Sequence, residues 1–336
     1  MTIETFKLDN GEEFKVDTAS EEYQIKLDVA KKLRLRADES VFFARNLEYA
    51  RQQVLTVSYP ELKLLNGGIL PLDKSIPMGA ENDSYGIEDS SGKAKIITDY
   101  ADDLGTSELL GQEVINKIHS VGHSYTYSVQ EVRRDKMAGG LGNSKLQRKA
   151  NAARLAIDQQ LEDLLCFGND DYQIKGLTNA SFVPQANITG ADWTAKATAN
   201  PLLILADIDT AKSNMHILTK GLEKPDTMLV DHIAYDILEK TFITLTAYEG
   251  MTLLAHIEKF KGLKVYSLSQ MAGRFTAGAN AFVLYKNDPM KVQGVLSLIE
   301  SHTPQVKNLT TINIFDVRCG GTRVFAPYSV SVNKGV

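Results

Sequence analysis

The stretch Tyr85-Gly-Ile-Glu-Asp-Ser-Ser-Gly-Lys-Ala-Lys-Ile-Ile-Thr-Asp-Tyr100 decides how the rest of the chain is read. Tyr85 and Ile87 alternate with polar residues, and Ala94 and Ile96 do so again beyond the turn-forming Asp89-Ser-Ser-Gly92. That pattern predicts a β-hairpin. It lies in a longer run, Asn66 to Gly92, crowded with Gly, Pro, Asp and Ser, the residues of turns. A two-stranded hairpin alone in water is marginally stable. This one must therefore lie on something, either its own core, as an ordinary surface hairpin, or another chain.

Toward the C-terminus, Tyr125-Thr-Tyr-Ser-Val-Gln-Glu-Val-Arg-Arg134 reads as a Tyr-rich strand running into a basic helical turn. Ser144-x-x-Gln147 then matches a capping box. Leu146, Ala150, Ala153, Ile157, Leu161 and Leu164 recur every three or four residues, so 144–168 predicts one amphipathic helix. Its length is roughly 36 Å at ~1.5 Å per residue. Gly168 is placed to cap it in the left-handed conformation. The helix charges run against its dipole: Lys145, Arg148, Lys149 and Arg154 come first, and Asp158, Glu162 and Asp163 follow. Either these lie on a solvated face or each half meets opposite charge on a neighbouring molecule.

Residues 1–18 are mixed and polar. Ser20-Glu-Glu-Tyr opens a helical stretch to Arg36, and a second helix from Asp38 carries Phe43, Leu47, Ala50 and Val54 on one face, ended by Pro60. Beyond Pro201 come a helix from Leu202 to Lys220, strands at Asp226–Asp231, Leu263–Leu268 and Asn280–Lys286, and a helix carrying Ile233, Ile237, Leu238 and Phe242. Mixed elements in this order predict an α+β lobe. Thr310 to Val332 is strand-like, with Val317-Arg-Cys-Gly-Gly-Thr-Arg-Val-Phe-Ala-Pro327 at its middle.

Composition narrows the function. With 336 residues, two linked lobes are expected. Net charge is −5 and the pI near 5.8, which argues against a dedicated nucleic-acid binder. No run is long and apolar enough to span a bilayer, and the N-terminus lacks the basic and then apolar pattern of a signal peptide. Cys166 and Cys319 are the only cysteines and form no paired motif, so no disulfide framework and a cytosolic site of folding are expected. Catalytic readings fare poorly. Gly139-Gly-Leu-Gly-Asn-Ser-Lys145 lacks the Gly-Lys-Ser/Thr of a phosphate loop and serves better as a helix entrance. His119 and His123 have no third ligand nearby, and Asp99, Asp102 and Asp103 lack the fixed spacing of a cation loop.

The order of these parts resembles the major capsid protein of tailed bacteriophages, whose shell fold is shared by herpesvirus capsid floors and encapsulins. The resemblance runs from about Phe42 to Gly335. It rests on Tyr59-Pro-Glu-Leu, Gly92-Lys-Ala-Lys, Tyr100-Ala-Asp-Asp, Cys166-Phe-Gly through Gly176-Leu-Thr-Asn, Lys286-Asn-Asp-Pro and Arg318-Cys-Gly-Gly-Thr-Arg-Val. It implies an N-terminal arm with helices (1–65), an extended loop reaching over a neighbour (66–100) and a peripheral domain (101–195) with its spine helix at 144–168. An axial domain (196–300) and strands returning to the peripheral domain (301–336) would complete the subunit, the return pairing near Tyr125 to Val129.

The implied function is structural: self-assembly into hexamers and pentamers of an icosahedral head around double-stranded DNA, or, alternatively, an encapsulin-type compartment. No catalysis and no cofactor are implied. Expected partners are further copies of the chain, a separate scaffolding protein, a portal and a decoration protein, with DNA contacted non-specifically and no membrane. The setting would be the virion, assembled in a bacterial host's cytoplasm. Candidate subunit contacts are Tyr85, Ile87, Lys93 and Lys95 on the arm and Arg148 and Arg154 on the helix.

Overall fold

The helix predicted at 144–168 runs from Lys145 to Phe167 in the computed structural model, which describes residues 3–7, 13–17, 61–66, 68–96, 104–137, 145–243, 250–275 and 280–336. Its apolar stripe turns inward, burying Ala153, Ile157, Leu161, Leu164 and Leu165. Gly168 follows with φ +67°, the left-handed cap that its lack of Cβ permits. The last carbonyls of the helix are satisfied by other segments. Leu165 O accepts from Leu177 N and Thr322 Oγ1, and Cys166 O accepts from the backbone N and the Oγ1 of Thr178. A Cβ at Gly168 would stand 2.4 Å from Ile174 O, and one at Gly321, φ +77°, 2.0 Å from Lys175 O. Three segments therefore cross where side chains cannot fit, which explains the glycines of the Cys166-Phe-Gly, Gly176-Leu-Thr-Asn and Cys-Gly-Gly-Thr runs.

Thr310–Val324 is the organising strand of the larger sheet. It pairs antiparallel with His119–Ser128 on one side, from Thr310↔Ser128 to Cys319↔His119. On the other side it pairs with Val292–Leu296, Glu300–Ser301 and Gln305–Lys307. The expected return of the tail to the Tyr-rich strand is thus realised, although Val129 opens the next helix, Val129–Met137. A second sheet has the order Lys264–Ser267, Thr227–Val230, Ala281–Tyr285, Val330–Lys334, Gln185–Asn187. Thr227–Val230 and Ala281–Tyr285 are buried on both faces. Met228, Val230, Phe282 and Leu284 pack with Trp193, Ile204 and Ile208 of the helices Trp193–Ala199 and Leu202–Leu218. Leu229, Val283, Tyr285, Val330 and Val332 face the core beneath the long helix.

Several expectations need correction. The arm strand Asn82–Ser91 pairs with Glu108–Lys117, from Asn82↔Lys117 to Ser91↔Glu108, so Asp89-Ser-Ser-Gly92 is not the turn. Ten cross-strand pairs anchored by buried Val114 and Asn116 outweigh a short ladder closed by one polar turn. The strand Val330–Lys334 does not return with Thr310–Val324 but enters the five-stranded sheet, where Val330 and Val332 join the core beneath the long helix. Gln185–Asn187 joins that sheet too, while Val292–Leu296 leaves the predicted axial stretch for the larger one. Phe242 lies past the helix His232–Lys240, bridged to Thr252.

Residues 1–55 and 56–336 form separate units. In the first, Ile3–Lys7 and Glu13–Asp17 pair antiparallel. The helices expected at 20–36 and from Asp38, Pro60, the Ser144 half of the capping box and the 99–103 aspartates lie outside the described residues.

Candidate functional site

The arm changes character along its length. Ten paired residues at ~3.4 Å each make a ladder roughly 34 Å long. At its base Asp83, Val114 and Asn116 are buried, and Tyr85 and Ile87 are half-buried. From Glu88 outward and back to Glu113, every described residue is exposed. Leu109 is 75% and Leu110 59% exposed on the ladder itself, and Ile96 and Leu104 are exposed beyond it. Each arm strand is paired along one edge, by the other, and the apolar side chains of the outer arm are not covered by the chain.

The base is held by an ionic clamp. Arg323, on the organising strand, donates from Nε and Nη2 to the two oxygens of Asp83 at 2.6 and 2.5 Å. Its Nη1 donates to Asp73 Oδ2 at 2.9 Å and to Gln293 Oε1 at 3.3 Å. One guanidinium therefore ties the arm strand, the segment leading into it and the sheet, in the fork geometry that arginine favours. Hydrogen bonds from Ser75 Oγ and N–H, with the Arg323 contact, hold the Asp73 carboxyl below its usual range, and the Asp83 carboxylate raises that of Arg323. Arg318 Nη1 donates to Ala80 O at 2.6 Å, and Ile118 N to Glu81 O at 2.9 Å. The Tyr85 hydroxyl meets Val324 O at 3.4 Å, and its ring stands edge-on to Phe325.

The sequence candidates therefore divide. Tyr85 and Ile87 belong to the half-buried base, with Tyr85 bound to its own chain. Lys93 and Lys95 are exposed just past the last ladder pair. On the long helix most of the reversed charge is met inside the subunit. Lys145 and Lys149 both reach Glu131, at 3.0 and 2.9 Å, and drive its pKa down to about 2, helped by Ser128 N–H. Asp163 pairs with Arg274, and buried Glu162 accepts from Leu64 N and Gln270 Nε2. Arg154 is exposed beside Asp158 at 3.7 Å, and half-buried Arg148 keeps an Nε without a hydrogen-bond partner among the described residues.

Sequence reasoning missed the clamp and the Leu109–Leu110 pair. Arg323 stood inside a quoted motif, but Asp73 and Asp83 looked like turn residues, and the leucines fell beyond the supposed hairpin. An open polar hollow of about 500 Å³ beside the arm base is lined by Glu81, Lys117, His119, Asp171, Tyr172 and Arg318. His119 Nε2 lies 3.0 Å from Tyr172 O, and no nucleophile with an adjacent base is assembled there. Among the described residues no cluster of His, Cys, Asp or Glu could hold a metal ion, and no helix is long and apolar enough to cross a membrane. Cys166 and Cys319 are both buried as free thiols.

Comparison with known proteins bears on this architecture. A model of the major capsid protein family matches residues 92–336. No curated protein matches the sequence. Among solved structures, the capsid of Myoviridae phage XM1 superposes with a TM-score of 0.74 at 15% identity, covering 89% of this chain and 100% of that one. The capsid of an empty GTA particle gives 0.63 at 10% identity, over 89% and 99%. A virus-like particle from Pyrococcus furiosus gives 0.53 at 12% identity, over 80% and 95%.

Proposed function

Because the chain belongs to the major capsid protein family, and is a structural protein of a phage-type shell rather than an enzyme, we propose that it builds a closed icosahedral head of hexamers and pentamers around double-stranded DNA. The arm carries this reading. Its two strands pair with each other along their length, its base is locked by Arg323, and its outer half exposes leucines with no core of their own. A second copy of the chain supplies the missing surface, and closed symmetry repeats the contact around the shell. Lys93 and Lys95 beyond the ladder, and Arg148 and Arg154 on the helix, are the charges that accompany it. Residues 66–118 act as the extended loop. Assembly takes place in a bacterial cytoplasm, with a scaffolding protein, a portal and a decoration protein as further partners.

The test is to image the purified full-length chain and a variant lacking residues 88–111, the exposed outer arm. Wild type is expected to form closed shells. The variant is expected to stay folded, because the clamp lies outside the deletion, and to form none. Normal shells from the variant would exclude bridging by the arm. Protein cargo in place of nucleic acid inside particles recovered from cells would favour the encapsulin-type compartment.

A further inference from the structure

The net acidity of the chain hides a local reversal in the lobe built on the five-stranded sheet. Ile257–Lys261 winds as a π-turn and ends at Gly262 in the left-handed conformation. Such turns are uncommon and frequently mark functional positions. This one brings Lys261 against Lys212 of the helix Leu202–Leu218, whose Nζ donates to Lys261 O at 2.7 Å. That acceptor is a neutral carbonyl, so the charge of Lys212 is not cancelled by it. Burial and then the neighbouring Lys224 and Lys261 push the Lys212 pKa down, as expected where cations crowd together. Lys264 N donates to Asp226 O, which draws the strand that begins at Lys264 beside the loop carrying Lys224. Lys224, Lys259 and Lys264 are exposed, and Lys259 lies 5.8 Å over the half-exposed Phe260 ring.

The nearby acids are mostly occupied. Asp209 pairs with Lys261 at 2.6 Å, and Glu223 is buried against Lys291. Asp226 accepts from Thr227 Oγ1 and Asn287 N. Only Glu258 stands exposed within the turn itself. Lys212, Lys224, Lys259 and Lys264 thus present four cations with no carboxylate ion partner among the described residues.

We infer that this lysine surface, Lys212, Lys224, Lys259 and Lys264 around the Phe260 ring, binds the phosphate backbone of nucleic acid without reading its sequence. The inference rests on the shell reading, in which this surface would meet the enclosed nucleic acid. Lysines without arginine suit point contacts to the phosphates of a duplex, which position the backbone and carry no sequence information.

Binding of the full-length chain to a 20-base-pair duplex, followed by fluorescence anisotropy across a salt series, tests the inference. Each lost phosphate contact flattens the log–log salt slope by about 0.9. Replacing Lys212, Lys224 and Lys264 by Ala is therefore expected to flatten it by about 2 to 3 and to weaken binding at least tenfold at low salt. The triple Lys→Arg variant is expected to retain both, which separates lost charge from lost folding. Lys74→Ala with Lys136→Ala, both exposed in the other lobe, should change neither. No salt-dependent binding by wild type, equal loss in that control pair, or equal competition by poly-glutamate, which would mean an acidic protein partner, overturns the inference. Shell formation is scored separately by imaging: variants that bind DNA normally yet never form shells would count against the shell reading alone.

Discussion

The strands Ala281–Tyr285 and Glu108–Lys117 are both paired along their length, yet they stand at opposite ends of the scale of burial. All five residues of the first are buried, because helices cover one face of its sheet and the core beneath the long helix covers the other. The second buries only Val114 and Asn116 of its ten residues. Ala281–Tyr285 is hydrogen-bonded to a strand on each side and Glu108–Lys117 to one strand only, so the two differ in pairing as well as in cover. Covering a Leu-sized side chain stabilises by about 1.5–3 kcal/mol, and the five-stranded sheet has that stabilisation within one chain. The arm keeps its apolar surface uncovered. A subunit that folds by one rule and assembles by another needs both kinds of strand.

The contrast can be broken by mutation, beginning in the sheet. Phe282→Ala removes a ring with 0% exposure that stacks near Trp193 and is expected to cost about 3–5 kcal/mol. Chemical denaturation of the monomer measures it; a loss below 1 kcal/mol would mean this face is loosely packed. Arg323→Ala comes next, at about 3 kcal/mol, since it strands the Asp83 and Asp73 carboxylates at the arm base. That cost is local. Hydrogen exchange should rise at 82–85 and 114–117 while 227–230 and 281–285 stay protected. Uniform acceleration would show that the clamp supports the whole unit instead.

The two regions were also unequally legible in the sequence. Apolar runs such as Asp226-Thr-Met-Leu-Val-Asp231 and Asn280-Ala-Phe-Val-Leu-Tyr-Lys286 announce strands buried on both faces, and the stripe from Leu146 to Leu164 announces the helix. Periodicity reports burial, so it succeeds where burial is complete. The arm offers little of it: past its base no residue is buried, and the polar turn formers of 89–92 imitate a hairpin end inside a longer ladder. The position of Val330–Lys334 was hidden for another reason, since Val330 and Val332 alternating with Ser331 and Asn333 give one apolar face that either sheet could bury. The clamp joins residues 240 and 250 apart in sequence, a separation that local spacing does not encode. The reversed helix charges were visible, but their partners Glu131 and Arg274 were not.

Glu131 gives a smaller, pH-dependent test of how firmly the helix Val129–Met137 is tied to the long helix. Its carboxyl sits near 2 against an ordinary 4.5, chiefly because Lys149 and Lys145 bind the ionised form. A folded pKa below the unfolded one stabilises fully above the unfolded value and is lost as the pH falls through the folded one. Amide exchange within 129–137 should therefore be flat from neutral pH to about 4.5, after correction for the intrinsic rate, and then rise toward pH 2. Glu131→Gln should remove that pH dependence. A variant that keeps it would place the titration elsewhere.

The smallest effect on the subunit belongs to the arm tip, where it is the most informative. Leu109 and Leu110 are 75% and 59% exposed, so replacing both by Ser removes almost no buried area from the folded chain. Surface changes of this kind stay within about 0.5 kcal/mol, and the ladder bonds, being backbone to backbone, remain. Thermal melting of the monomer should therefore hardly move. The same two side chains would be central to a contact with a second copy, where truncated anchors typically cost about 2 kcal/mol or more each. Symmetry repeats that loss at every equivalent position, so light scattering of the assembly reaction should show little or no particle formation. A clear drop in monomer melting would mean the leucines pack on their own chain. Unimpaired assembly would mean that this stretch of the arm covers nothing, and the difference between the two kinds of strand would then lie in pairing and exposure alone.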